Sequence, residues 1–445
     1  MDLGEDDTFD FDPHSDEDAE AEKENRRTTQ KSPVRTKPKS APTVEIVDSK
    51  VLSNFFDNFI VAKNRFKMTT ELLTLYSRYH AKLTADSNSS KLTFTNELSP
   101  DFTIPKLSAL SSYHTADYLK TLGSEELARD LLNECSFLNL PQARQHLLEI
   151  AEIQIDPESS KSQEESDPES VLSAFARLVA ATTIAAAQSL CDLSKNTKTA
   201  INWYGGWHHS HPNRYSGFCF INDIIFGIEA LLTCYNRILY IDLDVHHGDA
   251  VENHYRQHSR VLTLSVHKHH PGFFPGTGSR DLSALENTKI ASQNHADEEV
   301  AANPSLSEQA LNLAFSSNVS SEEWRGETCQ TLKSVTESFG SFDALVVLCG
   351  ADALRNDPLN GGFRVELRDY LYVVRQIHGL NLPTLMLGGG GYRSCNAARL
   401  WTLLTLQALD PSLETLKKMP MGLAPNLLED FYPEYKSSYR LDTLS

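Results

Sequence analysis

Five short runs of apolar and β-branched residues constrain the fold of this chain more than any other feature. They are TAINW (199–203), RILYIDLDV (237–245), RVLTLSVHK (260–268), ALVVLCGAD (344–352) and PTLMLGGGG (383–391). Their apolar stretches are near-continuous, whereas a strand with one wet face alternates apolar and polar residues. Helix-forming stretches separate most of them, such as INDIIFGIEALL (221–232) and ETCQTLKSVTESF (327–339). Ahead of them lies the Ala-rich VLSAFARLVAATTIAAAQSLC (171–191), which reads as a buried helix. Strands buried on both faces and alternating with helices predict the α/β class, with a mostly parallel multi-stranded sheet covered by helices on both sides. No internal repeat is visible, and an apolar content of 40% supplies a core for 445 residues.

Every one of these runs ends in polar or glycine-rich residues: YGGWHH, DLDVHHGD, HKHHPGFFPGTG, CGAD and GGGGY. Ligands bind at the carboxyl ends of the strands in an open α/β sheet, so the site is expected there. Side chains i and i+2 of a strand share a face, which lets Asp244 and His246 converge on one ion, with Asp352 as a third ligand. Two carboxylates, one imidazole and an open position suit a catalytic metal, zinc by preference. A lone D-x-H would more often cap a strand end; the surrounding motifs favour the metal. His208 or His209 can serve as a base near neutrality, and Asp242 and Asp249 can anchor their far nitrogens. GGGGY delivers Tyr392, whose hydroxyl can donate to a developing oxyanion, and it lacks the pattern of a nucleotide-binding loop. The phenylalanines of SGFC (216–219) and PGFFPGTG (271–278), each beside glycine, can wall a narrow apolar slot.

Charge and composition exclude other classes. A formal net charge of −19 argues against direct nucleic-acid binding and favours basic partners. Seven scattered cysteines form no C-x-x-C pair, so no disulfide framework is expected and a reducing compartment is. No apolar run approaches the about 18 residues of a membrane span, and the acidic N-terminus is unlike a signal peptide, so a soluble intracellular protein is expected. Positions 2–24 hold twelve acidic residues, and positions 26–39 hold six basic ones and no acid. Residues 1–43 therefore read as a disordered acidic-then-basic tail; the sharper reading is a nuclear address, with Ser32–Pro33 as a phosphosite. A polar stretch at about 283–308 reads as an insertion.

Taken together, these residues resemble the zinc-dependent histone deacetylase family, class I type. NWYGGWHH, SGFCFIND, YIDLDVHHGD, PGFFPGTG, CGAD and GGGGY stand in that family's order and approximate spacing. The likeness is strong over about 199–280 and 341–410, and followable over about 44–120 through RFKMTTELLTLY and YHTADYLKTL. The resemblance implies one arginase/deacetylase-like domain over 44–445, removing acetyl or longer acyl groups from acyl-lysine in histone tails or other proteins. It implies Asp244, His246 and Asp352 as ligands of one catalytic zinc, His209 as general base, His208 as a charge-tuning neighbour and Tyr392 as oxyanion donor. Gly217, Phe218 and Phe274 resemble the acyl-lysine tunnel, with Leu359 at its mouth, Arg65 matching the acetate-channel arginine and Asp167 the nearest candidate for the rim acid. One or two potassium ions are implied: Asp242, Asp244, His246 and Ser265 with the Val266 carbonyl form one site, and carbonyls near Tyr255, His258 and Val261 much of another. His247 is left with a structural role.

The sequence departs from the family pattern at the 283–308 stretch and at Arg214 and Tyr215 before SGFC. Pro358 and Cys395 stand where complex-dependent members carry basic residues that contact inositol phosphate, which points to a stand-alone member for which a co-repressor is compatible but not required. A nuclear or cytoplasmic location, or both, is implied. The alternatives are an acetylpolyamine deacetylase, for which an acid is expected in place of Leu359, and an arginase-type binuclear enzyme, for which Ala353-Leu354 lacks the second metal's ligand. A non-catalytic chromatin scaffold is disfavoured because every catalytic position is filled.

Overall fold

Eight parallel strands hydrogen-bond in the order β2-β1-β3-β8-β7-β4-β5-β6 in the computed structural model of the chain. It describes residues 42–50, 52–53, 64–83, 90–96, 99, 102–124, 170–285, 309–316 and 318–413. Residues 1–41 of the expected tail, Asp167, and 286–308 of the polar stretch lie outside them. The strands are β1 (Thr43–Val47), β2 (Lys91–Thr95), β3 (Thr197–Asn202), β4 (Ile238–Asp242), β5 (Val261–Lys268), β6 (Ala310–Phe315), β7 (Ala344–Leu348) and β8 (Thr384–Leu387). The five expected strands are β3, β8, β7, β4 and β5, five neighbours in the middle of the sheet. Every residue of β4, β7 and β8 is buried, as near-continuous apolar runs require.

Helices connect the strands: α1 (Arg65–Leu83), α2 (Ala116–Gly123), α3 (Val171–Cys191), α4 (Asp223–Leu232), α5 (Asp249–Tyr255), α6 (Ser321–Phe339), α7 (Leu367–Gly379) and α8 (Ser394–Leu409). Their starts follow local chemistry. Ser170, Thr115 and Ser320 each accept a backbone N–H from three residues on, at the N-caps of α3, α2 and α6. α6 starts at Ser321, six residues before the stretch legible in the sequence, because SEEWRG is polar and shows its role only through the cap. α3 is long and apolar enough to cross a membrane, contrary to the expectation that no run approaches that length; 72% of it is buried inside the protein, so its apolarity serves the core. Cys191, the last residue of α3, is disulfide-bonded to Cys234, just after α4. No bridge was expected, because a pairing across 43 residues leaves no spacing motif.

Because all strands run the same way, their carboxyl ends lie along one edge of the sheet. The sheet centre supplies the rigidity there: Leu345, in β7, has no exposed surface and sits between β4 and β8. Leu345→Ala is expected to cost about 2–5 kcal/mol, read as a lower midpoint in urea denaturation.

Candidate functional site

The site grows out of the end of β4. Asp242 is its last residue, paired in register with Leu348 of β7 and Ser265 of β5. Beyond it Asp244 and His246 follow, while Asp352 arrives on a 3-10 turn, Ala351–Ala353, that leaves β7. Ligand-capable atoms of Asp244, His246 and Asp352 lie within 4.8 Å of one another, the only such group among the described residues. His246 Nδ1 is 3.0 Å from Asp244 Oδ1 and 3.1 Å from Asp352 Oδ2. Backbone N–H groups take up the carboxylate oxygens: Val245 donates to Asp352 Oδ1, His246 to Asp244 Oδ1 and Gly390 to Asp244 Oδ2.

These groups are buried, and their charge is unbalanced. Burial, then the neighbouring Asp244, pushes the Asp352 carboxyl up. Burial also opposes ionising Asp244, but His208 and His246 outweigh it and hold that carboxyl well below its usual range. Two buried carboxylates converging on one imidazole nitrogen are what a divalent cation relieves, and a two-oxygen, one-nitrogen donor set suits zinc. The residues fit the metal.

Two histidine–aspartate pairs stand beside the triad. His208 Nδ1 donates to Asp242 Oδ2 at 2.8 Å, and the same carboxylate accepts from Tyr240 Oη and the Asp244 N–H. His209 Nδ1 lies 2.9 Å from Asp249 Oδ1 at the start of α5; Asp249 Oδ2 is 3.2 Å from His211 Nε2. The rings of His208 and His209 are 3.9 Å apart, so a proton on one disfavours a proton on the other. Burial opposes charging His208, yet Asp242 and Asp244 push it up to about 9. Burial and the charge on His208 press His209 down to about 3. The two imidazoles are thus driven in opposite directions.

A cavity of about 350 Å³ opens over these groups, lined by His208, His209, Asp244, His246, Tyr392 and, among others, Gly217, Phe218, Phe274, Leu359 and Arg65. Gly217 adopts φ +56°, and a Cβ there would meet His209 and Phe274 at 3.1 and 3.3 Å, so only glycine brings the Phe218 wall this close. Phe274 packs edge-on against His209, and Phe273, the other phenylalanine of PGFFPGTG, stacks on His246. Tyr392 packs beside Phe218, and burial raises its hydroxyl well above the usual value, so it remains a donor. Arg65 enters from the start of α1, donating to Gly391 O at 2.9 Å and Gly389 O at 3.3 Å, with no partner for its Nε among the described residues. Ser265 Oγ lies 2.9 Å from His267 Nδ1 beside Val266, and the His258 N–H donates to Tyr255 O and that of Val261 to His258 O. His247 bridges Thr277 and Glu252 away from the cavity.

Two aspartates that sequence reading missed hold the loops. Asp223 accepts from the N–H groups of Gly206 and Trp207 and from Thr183 Oγ1, fixing the turn that delivers the two histidines. Asp357 accepts from the N–H of Leu359, Tyr392 and Arg393. Asp223 closes the SGFCFIND run and Asp357 lies outside the quoted motifs, and only the geometry shows the N–H groups that each one gathers.

The histone deacetylase domain model matches residues 74–408 of this chain. Histone deacetylase 8 of Danio rerio is 35% identical over 271 residues, covering 60% of this chain and 63% of that protein. Histone deacetylase 8 of Xenopus tropicalis is 34% identical over 269 residues, covering 60% and 64%. Histone deacetylase 1 of Homo sapiens is 35% identical over 243 residues, covering 54% and 45%. The chain spans less than two thirds of the length of each of these relatives. A Cβ on Gly390 would press on Asp352 Oδ2 and come within 2.7 Å of Asp244 Oδ2. Gly390→Ala is therefore expected to weaken zinc binding about 10- to 100-fold in competition with a chromophoric chelator.

Proposed function

The chain belongs to the histone deacetylase family, and from that premise we propose that it is a zinc-dependent lysine deacylase, hydrolysing Nε-acetyl-lysine and related acyl-lysines in histone tails or other proteins. The observation that carries this reading is the convergence of Asp244, His246 and Asp352 beneath an aromatic-walled cavity that also presents His209 and Tyr392. A zinc ion held by those three side chains supplies Lewis acidity toward a water and an amide carbonyl.

The chain's own residues do the rest. Phe218 and Phe274 flank the acyl-lysine stem, and Leu359, 39% exposed, meets it at the mouth. His209, with Nδ1–H given to Asp249, offers Nε2 as the base that takes the proton of the attacking water. Tyr392 donates its hydroxyl to the oxygen that becomes negative as the tetrahedral centre forms. His208, whose affinity for a proton Asp242 raises against its burial, is the neighbour that tunes the charge beside His209. His209 returns the water's proton to the amine nitrogen as the C–N bond breaks, and acetate remains in a chamber that Arg65 faces.

Potassium has a place in this reading: Asp242, Asp244, His246 and Ser265 with the Val266 carbonyl would hold one ion, and carbonyls near Tyr255, His258 and Val261 a second. A cation beneath the strand end would offset the crowded carboxylates. Asp167 would act as the rim acid, 1–43 as a tail and 44–445 as the catalytic domain. The basic block at 26–39 supports a nuclear location alongside a cytoplasmic one. An arginase-type second metal finds buried Ala353 and Leu354 where its ligand should stand, and a polyamine's ammonium would meet Leu359 rather than an acid.

The test is turnover on a panel of acyl-lysine peptides with a chelator control. Tyr392→Phe is expected to lower kcat about 100- to 1000-fold with KM little changed. Asp352→Ala should abolish both zinc content by elemental analysis and deacylation; full activity in that variant, or two manganese ions per wild-type chain, would sink the assignment.

A further inference from the structure

Asp249 carries a second histidine besides the one that the proposed reaction uses. Its Oδ2 lies 3.2 Å from His211 Nε2, while its Oδ1 holds His209 Nδ1. All three side chains are buried, and His211 stands outside the residues that line the cavity. Among the described residues, His211 is the one donor to that second oxygen. The backbone that carries it is fixed independently of the carboxylate. The His211 N–H donates to Arg214 O at 3.0 Å, and Ser210 O accepts from Tyr113 Oη at 3.0 Å and Asn222 Nδ2 at 3.1 Å.

The terminal torsion of an aspartate is broad, so a carboxylate held through one oxygen can turn and release its partner. Asp242 avoids this by accepting from Tyr240 and the Asp244 N–H as well as from His208. Among the described residues Asp249 has no backbone N–H in that role, and the His211 imidazole supplies that donor.

We propose that His211 is a positioning residue for the His209–Asp249 pair: its Nε2–H locks the carboxylate plane, which keeps His209 in the Nδ1–H tautomer with Nε2 presented to the attacking water. The proposal rests on the deacylase reading for its kinetic consequence but not for its geometry. The zinc-loaded full chain would be compared with His211→Leu, which removes the donor, and His211→Gln, whose amide can donate to the same oxygen.

His211→Leu is expected to lower kcat on an acetyl-lysine peptide about 10- to 100-fold, as losses behind a working histidine do, with KM within about twofold. His211→Gln should recover most of the loss, which a purely space-filling role would not predict. Side-chain 15N NMR of His209 should show the Nδ1–H tautomer in the wild type and the Gln variant, and a tautomer mixture in the Leu variant. An unchanged kcat in His211→Leu, no recovery by Gln, or an unaltered tautomer in the Leu variant would each overturn the assignment. If the wild type hydrolyses no acyl-lysine peptide, the deacylase reading falls and the NMR comparison alone decides the role of His211.

Discussion

Mutual repulsion among buried carboxylates is the constraint on which the rest of this structure depends. Asp242, Asp244, Asp249 and Asp352 all lie at the carboxyl end of the sheet centre with almost no access to water. An ionised group left there alone would be prohibitively costly. The fold meets that cost with donors it already owns: backbone N–H groups of Asp244, Val245, His246 and Gly390, and the imidazoles of His208, His209 and His211. Positive charge is therefore concentrated where the sheet delivers negative charge. What those donors leave unbalanced is the demand of the Asp244, His246 and Asp352 cluster for a cation.

Close approach of the backbone is the second consequence. Gly388, Gly389 and Gly390 bring one loop onto Trp203 O, Leu348 and the carboxylates of Asp244 and Asp352, at distances where any added carbon would collide. A tetraglycine run is thus the geometric counterpart of the acid cluster, because only bare backbone can both donate to Asp244 and leave room for the cavity. The two histidines depend on a similar arrangement, with Asp223 gathering the N–H groups of Gly206 and Trp207 so that the turn after β3 points into the site.

Much of this was legible before any coordinates. The five strands read from the sequence are the five central ones, since burial on both faces leaves an unbroken apolar run. The three that escaped notice lie toward the edges. Lys91–Thr95 is largely exposed, Thr43–Val47 is interrupted by Glu45, and Ala310–Phe315 carries Asn312 after a long polar stretch. The triad and both histidine–aspartate pairs come together as their strand-end spacing suggested. The loop-holding roles of Asp223 and Asp357 and the contact of His211 with Asp249 were missed because they arise from hydrogen bonds between distant segments, which leave no periodicity or spacing in one sequence. The Cys191–Cys234 bridge escaped for the same reason.

Asp357 ties together two things that sequence keeps 33 residues apart. One of its oxygens accepts the Leu359 N–H, and the other accepts those of Tyr392 and Arg393. The backbone of Leu359, at the mouth of the cavity, and that of Tyr392, at its base, therefore hang from a single carboxylate. Without the Asp357 carboxylate the N–H groups of Leu359, Tyr392 and Arg393 would all lose the same acceptor, so the mouth and the floor of the cavity share one anchor.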